Sequence, residues 1–284
     1  MLKVQDGCNN FCSYCKIPFA RGKSRSRKKY NIIKEIEKLV EEGFKEVILI
    51  GINLGAYGED LDEGENFESL LKSILEINKL ERVRIGSVYP DKISDEFMDM
   101  FKNKKLMPHL HISLQSCDDD VLKRMRRKYG SSLIEDRLLK LKEKVEDMEY
   151  TADVIVGFPG ETEEMFQKSY DLIEKIGFSG IHIFQYSDRE NTLASSFTDK
   201  IDAKIKKERA DRLEALKMKM AEKEREKYIG KHLNVLLEER ENGYLYGYSE
   251  NYLRVKVKDN EIKLNSIINV KINSLEKEML IADE

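Results

Sequence analysis

Near the start of the chain, residues 7–15 read Gly7-Cys8-Asn9-Asn10-Phe11-Cys12-Ser13-Tyr14-Cys15. Three of the four cysteines in this 284-residue sequence therefore lie on one short segment, separated by three and then two residues. A disulfide framework would need an even, spread-out set in a small secreted chain, and this set is neither. Three thiolates on one loop can instead bind three irons of a 4Fe–4S cluster, for which full protein ligation uses four cysteines. The fourth iron would stay open to another ligand, which is typical of a catalytic metal centre.

A structural zinc site is the alternative for these cysteines, with His109, His111 or another residue as the fourth ligand. Zinc sites usually pair their cysteines in two separated C-x2-C units, and the sequence has no second unit. The spacing therefore favours an iron–sulfur cluster. The remaining cysteine, Cys117, could approach the cluster from a strand end, but a small buried packing residue is the favoured interpretation.

Outward from this loop, short apolar runs alternate with amphipathic helical patterns. The six predicted strands are Leu2–Gln5, Val47–Ile52, Arg82–Val88, His109–Leu114, Asp153–Gly157 and Gly180–Tyr186. The predicted helices are Asn31–Glu42, Phe67–Ile77, Asp95–Phe101, Asp118–Met125, Ile134–Glu146 and Glu161–Ile176. Several strands are apolar on both faces, which predicts a parallel sheet covered by helices. Because six units are too few for a closed eightfold barrel, we expect an α/β fold of the partial (βα)6 barrel type, with its functional loops at the carboxyl ends of the strands.

The sequence changes from helical patterns to short strand patterns after a highly charged helix predicted over Ile201–Tyr228. Five short strands then follow, at Leu233–Leu237, Tyr244–Tyr248, Leu253–Val257, Ile267–Ile272 and Met279–Ala282. They predict a small antiparallel β-barrel, and we expect a domain boundary near Ile229, between residues 1–228 and 229–284. Four tyrosines of this segment could stack on nucleic-acid bases or equally form the barrel core. They are Tyr244, Tyr246, Tyr248 and Tyr252.

Charge is abundant but balanced, with 50 basic and 53 acidic residues, so any basic surface must be local. Residues 1–30 contain eight basic residues against one acidic, and residues 123–128 contain five basic residues. Both runs follow predicted strands and should flank the cysteine loop, where they would attract RNA phosphates; a solvated surface is the ordinary alternative. The candidate RNA-binding residues are Arg21, Arg25, Arg27, Arg124, Arg126 and Arg127. With no apolar run of membrane-spanning length and no signal peptide, we expect a cytoplasmic protein without membrane contact.

The cysteine triad, with the aromatic Tyr14 just before its third member, resembles the motif of the radical S-adenosylmethionine superfamily. Longer segments are similar to the methylthiotransferase family within it: Gln5–Cys8, Ile17–Gly22, Ser24–Arg27, Gln115–Ser116, Leu122–Tyr129 and Asp153–Thr162. The carboxyl-terminal segment is similar to that family's small RNA-binding barrel, the TRAM domain. Residues 17–22 and 124–129 look most like the branch that acts on threonylcarbamoyladenosine in tRNA. The other branches act on isopentenyladenosine in tRNA or on an aspartate of a ribosomal protein.

The resemblance implies one 4Fe–4S cluster on Cys8, Cys12 and Cys15, with S-adenosylmethionine on its open iron. One-electron cleavage of that cofactor would give a deoxyadenosyl radical, which opens the C2–H bond of the adenosine at position 37 for insertion of a methylated sulfur. The candidate cofactor-binding residues are Tyr14, Asn53, Gln115, Asp153 and Gly157. Asn53 and Gln115 are also compatible with ordinary turns, and the resemblance favours the cofactor for Gly157.

The expected partners are tRNA and an electron donor such as flavodoxin or ferredoxin, and we expect a monomer. Family members carry an additional amino-terminal domain with three more cysteines, and here only Cys117 is left over. The early position of Cys8 therefore suggests a truncated form, which we expect to cleave the cofactor without completing methylthiolation. The alternative of another class is a non-enzymatic RNA-binding protein with a structural metal.

Overall fold

A curved parallel sheet dominates the computed structural model, which describes residues 1–61 and 64–283. Its strands are β1 (Leu2–Lys3), β4 (Glu46–Ile50), β5 (Arg82–Ile85), β6 (Ser87–Val88), β7 (His109–Gln115), β8 (Glu149–Val156) and β9 (Gly180–Gln185). They run in the order β1-β4-β5 and then β6-β7-β8-β9, and every neighbouring pair is parallel. Only Gly86 separates β5 from β6, so they form one interrupted strand. The six predicted strands are all present, and β8 begins four residues earlier than expected.

Helices connect these strands: α1 (Ile17–Arg21), α2 (Lys29–Glu41), α3 (Phe67–Leu75), α4 (Asp95–Met100), α5 (Asp119–Arg124), α6 (Ser131–Lys144), α7 (Glu163–Ile176) and α8 (Ala203–Glu226). Side-chain caps begin several of them; Asn66, Ser94, Asp118 and Thr162 each accept a backbone N–H of the first turn. No helix within residues 1–61 and 64–283 is both long enough and apolar enough to cross a bilayer. The short α1 was not predicted, because five residues inside a polar loop carry no helical periodicity.

Alternation along the strands separates the covered outer face of the sheet from its inner face. On β7, Leu110, Ile112 and Leu114 are fully buried in the main hydrophobic core, which also contains residues of the helices. The residues between them, His111 and Ser113, point to the inner face. The first and last strands, β1 and β9, are not paired with each other in the described part of the chain. This open arrangement confirms the expected α/β fold of the partial-barrel type.

The carboxyl-terminal segment forms a closed five-stranded barrel. Its strands are β10 (His232–Glu241), β11 (Tyr244–Ser249), β12 (Arg254–Lys258), β13 (Ile267–Glu276) and β14 (Met279–Asp283). Four of its five strand pairs are antiparallel, as expected, whereas β12 and β14 pair in parallel. An odd number of strands cannot alternate in direction all the way round a closed ring, so at least one pair must be parallel. A domain boundary near residue 229 stays a prediction. Helix α8 ends before that point, and a separate hydrophobic core fills the interior of the barrel.

Two of the barrel tyrosines, Tyr244 and Tyr246, point away from the barrel core, whereas Tyr252 packs against His109 at the base of the sheet. On β11, Leu245 is fully buried, whereas Tyr244 and Tyr246 on either side are not. Lys256 lies 4.1 Å from the centre of the Tyr244 ring, and Arg254 lies 5.4 Å from that of Tyr246. These tyrosines therefore belong to an outer, basic and aromatic face of the barrel and not to its core.

Two buried arginines on β5 attach the barrel to the amino-terminal ends of the parallel strands. Arg82 donates to the carbonyl oxygens of Asn234 and Tyr248, at 2.6 and 3.1 Å. Arg84 donates to those of Ser249 and Glu250, at 2.6 and 2.7 Å, and its Nε lies 3.0 Å from the carboxylate of Glu46. The barrel therefore contacts the base of the sheet, at the end away from the cysteine loop.

Candidate metal centre

The cysteine loop leaves the sheet after β1 and is closed at its base by a short antiparallel pair, β2 (Gln5–Asp6) with β3 (Arg25–Ser26). Gly7 stands where the loop begins, with φ of +73°, and a Cβ there would lie 2.0 Å from the carbonyl oxygen of Lys23. The amide of Cys8 donates to the carbonyl of Gly22 at 3.2 Å. The two ends of the loop are therefore in such close contact that only glycine fits at position 7.

The three thiols of the loop lie close to one another. Cys8 and Cys12 are buried, and Cys15 is half-buried. Burial raises the pKa of the Cys8 and Cys15 thiols, and charge on Cys12 raises both further. The Ile17 amide donates to the Cys15 sulfur at 3.4 Å. Free thiols with raised pKa values stay protonated at neutral pH, so a bound metal group would have to displace their protons.

The donor set fits a multi-iron cluster better than a single ion. Three thiols on one loop are one short of the four protein ligands that a structural zinc ion takes. A cubane needs separated thiolates, because each cysteine binds a different iron. Of the histidines considered as a fourth zinc ligand, His111 contacts Asp153 at 3.2 Å. His109 lies at the base of β7 and stacks against Tyr252 with ring centres 4.8 Å apart.

Gln5 connects the cysteine loop to the loop after β4. Its Nε2 donates to the carbonyl of Gly7 and to the Ser24 hydroxyl, both at 2.8 Å. Its Oε1 accepts the Asn53 amide at 2.9 Å. The Asn53 side chain is close enough to Cys8 to lower the pKa of its thiol, against the larger effect of burial. Asn53 therefore lies at the cysteine site, whereas the positioning role of Gln5 was missed, although a buried polar residue directly before the loop could have indicated it.

Two other candidate cofactor residues lie beside the loop at the carboxyl edge. Tyr14 is half-buried, with its ring 6.3 Å from that of Phe158 in an edge-on contact. Gln115 ends β7 with φ of +68°, after a register irregularity in the β7–β8 pair. The backbone of Gln115 is therefore strained at a strand end, and such conformations are concentrated at functional sites.

The remaining two candidates, Gly157 and Asp153, have other partners. Gly157 has φ of +70°, a Cβ there would lie 2.1 Å from Cγ of Lys206, and its amide donates to Glu161 at 2.6 Å. Packing and backbone conformation therefore account for a glycine at this position. Its amide already donates a hydrogen bond to the Glu161 carboxylate. Asp153 lies four residues deeper on β8, about 13 Å at 3.3 Å per residue, and contacts His111 Nε2 at 3.2 Å. A role of Asp153 in cofactor binding stays a prediction.

The carboxylate of Glu161, which holds the Gly157 turn, is buried with Arg209 of α8. Their Oε2–Nη1 distance is 2.8 Å. Burial raises the pKa of Glu161 to about 7, although the Gly157 amide and the Arg209 guanidinium oppose that shift. This pair attaches α8 to the turn that follows β8.

Both basic runs reach the cysteine site, but not all of their arginines face solvent. Ser13 of the cysteine loop binds the second run, through its hydroxyl to the carbonyl of Arg124 at 2.7 Å. Arg21, Arg25 and Arg126 are exposed. Arg27 and Arg124 are half-buried and paired, Arg27 with Glu35 and Arg124 with Asp199.

Arg127 differs from its exposed neighbours in its contacts with the cysteine site, and its assignment to RNA stays a prediction. Its guanidinium lies over the ring of Tyr89, 4.1 Å from the ring centre, and it donates to the Ser113 carbonyl at 2.6 Å and to the Cys12 sulfur at 3.6 Å. A charged run contains no pattern that separates this inward-facing arginine from its exposed neighbours, so sequence reasoning missed it.

Cys117 lies away from the cysteine loop, as the packing interpretation expects. Its side chain is 2% exposed and belongs to the main hydrophobic core. Its amide donates to the Ser169 hydroxyl of α7 at 3.0 Å. Burial raises the pKa of its thiol far above the ordinary value, which makes it unreactive.

Residues 2–173 match the model of the radical SAM superfamily. The match covers more than half of the chain, and it includes the cysteine loop and every strand of the parallel sheet except β9. The chain belongs to the radical SAM superfamily. A 4Fe–4S cluster and S-adenosylmethionine are accordingly its cofactors, in agreement with the donor set described above.

Two proteins named threonylcarbamoyladenosine tRNA methylthiotransferase MtaB are among the most similar relatives. The Bacillus subtilis protein is 42% identical over 95% of this chain and 61% of its own length. The Thermotoga maritima protein is 40% identical over 99% of this chain and 64% of its own length. A Thermoanaerobacter protein named tRNA-2-methylthio-N(6)-dimethylallyladenosine synthase is 37% identical over 94% of this chain and 57% of its own length. The chain thus spans about six tenths of the length of these relatives.

Solved structures share the fold at low sequence identity. One is the radical S-adenosylmethionine methyltransferase TsrM from Kitasatospora setae with cobalamin and a [4Fe-4S] cluster bound, with a TM-score of 0.57 and 18% identity over 68% of this chain and 35% of that chain. Another is coproporphyrinogen III oxidase from Escherichia coli, with a TM-score of 0.53 and 14% identity over 75% of this chain and 50% of that chain. At these identities the likeness concerns the fold alone.

Proposed function

We propose that this chain carries the catalytic part of a tRNA methylthiotransferase that modifies C2 of N6-threonylcarbamoyladenosine at position 37, beside the anticodon. The observation that carries the proposal is the three-cysteine loop at the carboxyl edge of the sheet, in a chain 42% identical to a protein named for this reaction. The 37% identity to a dimethylallyladenosine enzyme makes that modified adenosine the competing substrate.

In the proposed site, Cys8, Cys12 and Cys15 hold the cluster through three of its irons. When bound, the cluster and S-adenosylmethionine supply one-electron chemistry that can remove a hydrogen atom from an unactivated carbon. Gln5 fixes the base of the cysteine loop, while Asn53 and Gln115 present amide groups beside it for polar parts of the cofactor. Burial of two of the cysteines keeps water from their sulfurs.

We place tRNA contacts on the exposed arginines of the rim, Arg21, Arg25 and Arg126, and on the outer tyrosine face of the barrel, in keeping with its similarity to a TRAM domain. The division into residues 1–228 and 229–284 belongs to this proposal. So do action in the cytoplasm as a monomer and reduction by an electron donor such as flavodoxin or ferredoxin.

Anaerobic reconstitution tests the cofactor part of the proposal. The protein should bind about four irons per chain and, under reduction, release 5′-deoxyadenosine from S-adenosylmethionine. Cys15→Ala should lose both properties, whereas the matched control Cys117→Ala should keep both, because Cys117 lies in the core. A colourless protein that binds zinc would overturn the proposal.

The substrate is tested separately, with tRNA from a strain that lacks the gene. Expression of the full-length gene should restore the methylthio group on threonylcarbamoyladenosine. Restoration on isopentenyladenosine instead would identify the competing substrate, and methylthiolation of neither would exclude both.

A further inference from the structure

Arg127 is held rigidly against the cysteine site by contacts on all of its guanidinium nitrogens. Its Nε donates to the Tyr129 hydroxyl at 2.7 Å, its Nη2 to the Ser113 carbonyl at 2.6 Å and its Nη1 to the Cys12 sulfur at 3.6 Å. The rings of Tyr89 and Tyr129 lie 4.1 and 4.9 Å from the guanidinium carbon. The planar fork is therefore fixed in one orientation, with one N–H aimed at a cysteine sulfur.

The partners of Arg127 do not include a carboxylate. Its hydrogen bonds within the described residues go to a carbonyl, a phenol and the Cys12 thiol, so no protein anion that it hydrogen bonds neutralises its positive charge. Tyr129 is itself fixed, because its hydroxyl donates to the Ser113 carbonyl at 2.7 Å. A cation that forms no hydrogen bond to a carboxylate and lies beside a sulfur is suited to an anion that forms at that sulfur.

An iron–sulfur cluster on the loop is that anion. One electron taken up by a 4Fe–4S cluster lowers its charge by one, with no bond formed or broken, and the electron comes from the external reductant. Hydrogen bonds to the cluster sulfurs and nearby positive charge favour the reduced state and thereby raise the reduction potential. The guanidinium of Arg127 supplies both a hydrogen bond to the thiolate of Cys12 and a positive charge beside it.

We propose that Arg127 is a positioning residue that raises the reduction potential of the cluster through its hydrogen bond to Cys12, and so makes the cluster easier to reduce. The inference rests on the proposed binding of the cluster by the three cysteines. It assigns to Arg127 a role different from RNA contact, since its guanidinium contacts the cysteine loop.

The test is a potentiometric titration of the reconstituted full chain without S-adenosylmethionine, followed by the electron paramagnetic resonance signal of the reduced cluster. Arg127→Gln removes the charge, and we expect the equilibrium constant for reduction to fall about tenfold, which is about 59 mV for one electron. Arg127→Lys keeps the positive charge but lacks the planar guanidinium, and its reduction potential should fall less than that of Arg127→Gln. Tyr129→Phe removes the hydroxyl that orients Arg127 and should also lower the potential. Lys128→Gln, an exposed neighbour with the same loss of charge, should leave it unchanged.

Iron content separates this role from a structural one. Supporting results are about four irons per chain in every variant and a lower potential in Arg127→Gln. Loss of iron in Arg127→Gln with an unchanged potential in the remaining clusters would overturn the inference, as would a potential that changes only when S-adenosylmethionine is added. A wild-type chain that binds no cluster would overturn the proposed function itself. A wild-type cluster whose reduction potential is the same in Arg127→Gln would overturn only the inference about Arg127.

Discussion

Glu149, at the start of β8, should make the stability of this protein fall as the pH rises from 5 to 8. The side chain is 1% exposed; one carboxylate oxygen accepts the Tyr228 hydroxyl at 2.9 Å, and the other is buried without a hydrogen-bond partner. Burial, and next the charge of Glu224, raise its pKa to about 7 against the opposing charge of Lys142. A carboxyl group with one unpartnered oxygen in the interior is more stable protonated than ionised.

The sign and size follow from the shift in pKa. The folded state keeps the proton up to about pH 7, whereas the unfolded state releases it near 4.5. The contribution is therefore fully present below pH 4.5 and is lost as the pH rises through 7. At about 1.4 kcal/mol per pKa unit the complete loss is about 3.4 kcal/mol, of which about 2.5 kcal/mol falls between pH 5 and pH 8.

Glu149→Gln is the direct test, because glutamine stays neutral throughout this range. Chemical unfolding of wild type and variant at pH 5, 6, 7 and 8 should show the difference in unfolding free energy shifting in favour of the variant by about 2.5 kcal/mol. The charged neighbours of Glu149 on α8 and α6 are present in both proteins and cancel in that difference. They are Glu224, Arg225, Lys227 and Lys142. Glu143→Gln on the exposed side of α6 serves as the control and should show no such trend. A difference that stays constant with pH would mean that Glu149 is ionised in the folded protein, and the reasoning would be refuted.

Three further predictions concern the base of the sheet, the loop and the core. Arg84→Met should lower the unfolding free energy by about 3–5 kcal/mol, because it leaves the buried carboxylate of Glu46 without its close partner. The double variant Arg84→Met with Glu46→Leu should recover part of that loss. A loss below about 1 kcal/mol in Arg84→Met would contradict the role of this ion pair. Gly7→Ala should reduce iron incorporation, because its Cβ would collide with the Lys23 carbonyl oxygen at the base of the cysteine loop. Gly43→Ala should not, because Gly43 has a similar positive φ but open space around it. Equal iron content in both variants would contradict the steric argument. Cys117→Ala should keep full iron content and lower the unfolding free energy by about 1 kcal/mol, the cost of removing a small buried group; loss of iron would contradict its placement in the core.

The sequence was sufficient for the parallel sheet because its strands and helices differ in hydrophobic period. It was sufficient for the cysteine loop because ligand spacing is a local property. Orientation of a charged side chain is not local. Arg126 and Arg127 are adjacent and identical in type, yet one is exposed and the other contacts Cys12, because Tyr89 and Ser113 come from distant parts of the chain. The arginines of β5 were also unpredictable, since their acceptors are carbonyl groups of the carboxyl-terminal barrel.

The two regions that we assign to RNA lie at opposite ends of the parallel sheet, and this separation limits how a tRNA can bind. The barrel contacts the amino-terminal ends of the strands, whereas the cysteine loop lies at their carboxyl ends. The seven residues of β7 span about 23 Å at 3.3 Å per residue. An RNA that places a base at the cysteine site and also stacks on Tyr244 must therefore extend along the outside of the domain over at least that distance. Substitution of Tyr244 should then weaken tRNA binding without changing the cleavage of S-adenosylmethionine in the absence of RNA, because the barrel face is too distant to influence the cysteine site directly.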